Sequence, residues 1–92
     1  MTERATSAGI LAVSGNYAVV HLKGRRHPAL AVQGDSLKIL QGIIEELADN
    51  LDSGDLDEAS FSLGEIQSTV SSMVAAYEVA SAETGFDLPY AR

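Results

Sequence analysis

The sequence predicts an α+β domain, an N-terminal β-hairpin followed by two antiparallel α-helices. Three observations point there. Two short runs rich in β-branched and aromatic residues flank a glycine-containing turn, the apolar period then changes from two to three-and-four, and a glycine- and aspartate-rich stretch interrupts that longer pattern.

The hairpin spans about residues 16–33. "NYAVVHL" at 16–22 and "HPALAVQ" at 27–33 are joined by "KGRR", and alternation is expected to put Ala18, Val20 and Leu22 on one face with Leu30 and Val32. Tyr17, Val19 and His21 then share the other face with Ala29 and Ala31. Pro28 has no amide to give a ladder, so it belongs at an edge or at a strand's first residue. "GILAVS" is the candidate for an additional short strand ahead of the hairpin.

Helix one is predicted over about 36–51, where Leu37, Leu40, Ile44, Leu47 and Leu51 recur in steps of three and four and Ile43 widens the stripe. Asp35 or Ser36 can accept hydrogen bonds from its first free amides. "DNLDSGD" carries the turn, with Gly54 at the reversal. Helix two is predicted over about 55–84, opened by Asp55 with Glu58 three residues on. Its stripe is Leu63, Ile66, Val70, Met73, Tyr77 and Ala80, and a break near Ser62–Gly64 is the alternative to one long rod. Residues 85–92 form a tail in which Phe86, Leu88 and Tyr90 can fold back as a clasp.

Ninety-two residues are enough for a single domain, 1–92, with a thin core. The absence of cysteine removes disulfides, thiol nucleophiles and thiolate metal sites, and points to the cytoplasm. The opening residues lack the basic start and long apolar centre of a signal peptide, and no run could span a bilayer, so no membrane is implied. Net charge is −7, unevenly placed: residues 1–44 hold five basic groups against two acids, while residues 45–92 hold Arg92 against eleven acids. That balance argues against nucleic acid, whose affinity rests on basic groups displacing counterions.

Little in the chain carries chemistry. Gly34-Asp35-Ser36 lies where a strand meets a helix, but one glycine and an aspartate do not make a phosphate loop, and capping is the simpler use. His21 and His27 flank the hairpin turn without a third ligand to complete a zinc site, so no metal is expected. "DNLDSGDLDE" lacks calcium-loop spacing, and the serines of "SFSLGEIQSTVSS" carry no nucleophile motif. No catalytic residue and no cofactor are implied. Arg25, Gln33, Asp35 and Ser36 remain the candidate functional residues.

The stretch "NYAVVHLKGRRHPALAVQGDSL", with its R-x-x-P and Q-G-D-S-L elements, and "LPY" at 88–90 resemble a family of short bacterial proteins of unknown function. The resemblance singles out Arg25, Pro28, Gln33, Gly34, Asp35, Ser36 and Tyr90, and it implies a recurring small domain without implying an activity.

The leading expectation is a small acidic protein-interaction domain that binds a basic partner, as an immunity protein or antitoxin does, through Glu45, Glu46, Asp49 and Asp52. The alternative is a homodimeric accessory or structural module using the helix-two stripe Ile66, Val70, Met73 and Tyr77. A small ligand binder or enzyme, with a pocket near the strand–helix junction, is the third. A non-enzymatic role is the preferred reading.

Overall fold

The computed structural model describes residues 8–92, so the Glu3 and Arg4 charges lie outside the described residues. The elements run β1 (Ala8–Ser14), β2 (Tyr17–Leu22), β3 (Ala29–Val32), α1 (Gly34–Ser53) and α2 (Leu56–Glu83). Two compact units result. One joins the strands, residues 8–32, to Met73–Arg92; the other is Gln33–Ser72.

In the first unit the strands form one antiparallel sheet in the order β1-β2-β3. The additional strand expected in "GILAVS" is therefore a full edge of the sheet. Register corrects the predicted faces: Tyr17 pairs with Val32, Val19 with Leu30, and Ala18 with Ala31. Residues directly opposite project to the same side, so an even-length connection pairs odd with even positions, and Val19 shares its face with Leu30 and Val32. A bulge between Ile10 and Ala12 shifts the β1 register, so that Ile10 lies opposite Val20 while Ala12 lies opposite Val19. This inner face builds the core. Val19 is 2% exposed and packs with Tyr77 and Ala80 of α2, bordered by Leu11, Ala12, Leu30 and Leu88. Fully burying a side chain of the size of Val19 is worth about 1.5–3 kcal/mol. On the opposite face Ile10 and Val13 remain about 70% exposed (71% and 69%).

Pro28 sits immediately before β3, where its missing amide breaks no ladder, and its buried carbonyl accepts a hydrogen bond from the Tyr77 hydroxyl at 2.7 Å. The tail folds back as the sequence suggests. Gly85 adopts a left-handed φ of 80°, and the Phe86 amide donates to the Ser81 carbonyl at 2.9 Å, reversing the chain out of α2. Phe86 then packs on His21 at a ring separation of 4.8 Å, and His27 Nδ1 meets the Asp87 carbonyl at 3.0 Å.

The second unit is helical. α1 begins at Gly34, two residues earlier than predicted, because Gln33 is already extended and its carbonyl accepts the Leu37 amide. Asp35 and Ser36 thus lie inside the first turn with Gln33 at the N-cap position, and Asp35, as expected, satisfies one of the first free amides. Its Oδ1 accepts the Ser36 amide at 2.8 Å. At the far end Gly54 takes a left-handed φ of 77°, its amide and that of Asp55 returning to Leu51 and Asn50. Asp55 then caps α2, its carboxylate accepting the Glu58 amide at 3.2 Å. α2 is helical without a break through Ser62–Gly64, and its residues up to Ser72 belong to this unit.

Candidate functional site

Most of the large apolar residues of the two helices in the second unit fall into two sets, while Ile39 and Phe61, 65% and 67% exposed, belong to neither. Along α1 the half-buried positions are Ser36, Leu40, Ile43, Leu47 and Asn50, spaced four-three-four-three. In the matching part of α2, Ala59 and Ser62 are buried and Ile66 and Thr69 half-buried. The two series mirror each other about Gly54 and Asp55, Asn50 with Ala59, Leu47 with Ser62, Ile43 with Ile66 and Leu40 with Thr69. Mirrored burial of this kind on either side of a left-handed glycine reversal is the pattern that an antiparallel helix pair with facing seams gives. It corrects the predicted helix-one stripe: Leu40 and Leu47 belong to the seam, whereas Leu37, Ile44 and Leu51 are exposed.

Those three are not scattered. They recur every seven residues, each directly following a half-buried seam position, and Leu56, Leu63 and Val70 recur likewise in α2, Leu63 and Val70 following the seam residues Ser62 and Thr69 and Leu56 following the cap Asp55. A residue's successor is rotated about 100° around a right-handed helix. In two antiparallel helices whose seams face each other, that rotation brings both sets of successors out on one side. All six side chains are between 43% and 66% exposed. The positions bordering them on that side, Gln41, Ala48, Ser60 and Gln67, are uncharged. One side of the hairpin is therefore an open apolar strip with neutral margins.

The acids lie elsewhere on α1. Glu45, Glu46, Asp49 and Asp52 are all exposed and none lies in the strip; Glu45, Asp49 and Asp52 face away from the seam, and Glu46 flanks it on the side opposite the strip. Lys38, the hairpin's own cation, donates to Gln41 Oε1 at 2.9 Å.

Arg25, Gln33, Asp35 and Ser36 divide between the units. Arg25 is exposed in the β2–β3 connection, where its carbonyl receives His21 Nε2 at 2.7 Å. Gln33, Asp35 and Ser36 open α1. Gln33 is exposed and its amide side chain makes no cap hydrogen bond. A shallow depression beside them is lined by Gly34, Leu37, Lys38 and Gln41, with no carboxylate or imidazole in it. The two histidines each engage a backbone carbonyl, and among the described residues no group of three histidines and carboxylates could hold a metal ion.

Of the residues expected at a dimer interface, Val70 is in the exposed strip and Ile66 in the seam, while Met73 is half-buried in the first unit. Tyr77 is only 9% exposed and bonded to Pro28, so its surface is taken up within the chain. Beside it, Tyr90 donates to Glu78 at 3.0 Å, and Arg92 pairs with the same carboxylate at 3.3 Å. Partial loss of water and the Glu78 carboxylate hold the Tyr90 phenol above its usual 10.0.

A family model matches residues 3–90, nearly the whole chain. The chain belongs to DUF6959, a family of unknown function. That match takes in the sheet, both helices and the clasp, so DUF6959 membership belongs to the whole fold and not to one motif. No curated protein and no solved structure matches this family member. No helix among its described residues is long and apolar enough to cross a membrane.

Sequence reasoning missed Leu37, Ile44, Leu51, Leu56 and Leu63 as a surface. The signal was present in their seven-residue spacing and in the uncharged residues beside them. It was hidden because the same leucines also fit a single broad core stripe.

Proposed function

We propose that this chain is a protein-interaction domain whose working surface is the open strip of the helical hairpin. The observation that carries this reading is the alignment of six exposed apolar side chains on one side of two helices, with neutral residues at its margins. A strip of that kind exceeds the scattered exposed leucines of an ordinary surface and has the character of an interface. It offers no nucleophile, no acid–base pair and no ligand cluster, which favours binding over catalysis.

Hydroxyl-radical labelling tests it. The purified chain at high dilution is compared with the chain in extract of its native host. Protection of Ile44, Leu51, Leu63 and Val70 in the extract, with Ile10 and Val13 labelled as before, is the expected result. Equal labelling of the strip in both samples would overturn the reading.

A second reading rests on Glu45, Glu46, Asp49 and Asp52, which form an exposed acidic face that could steer a basic protein. It predicts binding that weakens steeply with salt and is lost when the four are neutralised together.

A further inference from the structure

Resting on that reading, we infer that the occupant of the strip is a second copy of this chain, two hairpins packing side to side about a two-fold axis into a four-helix bundle. Charge decides between candidate occupants. The chain carries −7, so two copies repel unless the acids are kept out of their contact, and Glu45, Glu46, Asp49 and Asp52 are turned away from the strip. A basic partner would gain nothing from a side that bears no acid. The margins Gln41, Ala48, Ser60 and Gln67 are uncharged, and the one charge at the strip's edge, Lys38 beside Leu37 and Gln41, is exposed on a long stem that can keep its ammonium in water.

Size and symmetry agree. Leu37 to Leu51 and Leu56 to Val70 are each 14 residue steps apart, about 21 Å, so the strip has equal lengths on its two helices. Such a surface can serve as both halves of an isologous contact. Six side chains of this size, half exposed, present on the order of 500–600 Å². With their margins that approaches the roughly 800 Å² per partner of a stable interface. α1 has no fully buried residue within its own chain, which is the state of a bundle helix lacking its other neighbours.

The test is sedimentation of the purified full chain from 1 to 200 µM, with helix content followed by circular dichroism. The expected species has twice the 9.7 kDa chain mass. Ile44→Asp with Leu63→Asp should give a monomer of unchanged helix content, and Ile10→Asp on the sheet should leave the dimer intact. A second pair of variants guards against misfolding. Gln41→Glu with Gln67→Glu should weaken self-association at least tenfold, as should Gln41→Lys with Gln67→Lys, and mixing the two should restore a mixed dimer. A wild-type monomer throughout the range overturns the inference, and so does a dimer broken by Ile10→Asp and not by Ile44→Asp with Leu63→Asp. A monomer whose strip is still protected in host extract would sink self-pairing alone; a monomer with no protection would sink the interaction reading as well.

Discussion

Tyr77 and Ser81 sit one helical turn apart on α2 and meet opposite fates. The Tyr77 hydroxyl crosses from helix to sheet and satisfies the buried Pro28 carbonyl, a tie between residues 49 positions apart. The Ser81 hydroxyl is fully buried and has no hydrogen-bond partner among the described residues. Leaving a buried polar group unpaired costs about 1–3 kcal/mol, so the two substitutions that remove these oxygens should act in opposite directions. Tyr77→Phe strands the carbonyl and is expected to destabilise by about 1–2 kcal/mol. Ser81→Ala removes the stranded group itself and should stabilise by about 1 kcal/mol. Urea unfolding of each variant, with midpoint and slope compared to wild type, reads both effects. A lower midpoint for Ser81→Ala would mean that its hydroxyl is bonded in solution.

At the scale of the elements, local chemistry was the legible part. The β2–β3 pairing, the Gly54 reversal, the Asp55 cap and the returning tail all follow from residues close together in the sequence, and all are present. Three features were not legible, each for a physical reason. The face of Val19 depends on register, which only the partner strand sets. The start of α1 depends on the extended backbone of Gln33, whose side chain gives no capping signal. The division of helix one into seam and strip depends on which of two adjacent apolar rows meets α2, and Ile43 and Ile44 occupy both. The glycines allow a direct test of the helix assignments. Gly64 lies inside α2 with open space where a methyl group would go, so Gly64→Ala should raise stability by about 1 kcal/mol through helix propensity alone. Gly54 also has open space but a φ of 77°, and Gly54→Ala should lower stability by about 1 kcal/mol. Thermal melts at one fixed concentration compare the pair. Equal effects at the two sites would contradict the left-handed turn.

For the whole molecule, the acidic charge gives self-pairing and basic-partner binding opposite responses to salt. Each copy carries −7, and bringing two copies together concentrates that charge although no acid enters the contact. Screening weakens the repulsion, since the Debye length shrinks from about 30 Å at 0.01 M to about 10 Å at 0.1 M. The apolar contact is not weakened by the same change, and excluded salts such as sulfate reinforce it. Self-association is therefore expected to tighten, by about three- to tenfold in Kd, an amount worth roughly 0.6–1.4 kcal/mol, as sodium chloride rises from 0.01 to 0.3 M. A basic protein held by Glu45, Glu46, Asp49 and Asp52 would lose affinity over the same range, because its attraction is what the salt screens. Melting temperature adds a second readout from the same samples. Stability that depends on dimerisation rises with chain concentration, and the rise should be steeper at 0.3 M salt than at 0.01 M. Looser self-association at the higher salt would instead mean that opposite charges, and not the neutral-sided strip, join the two copies.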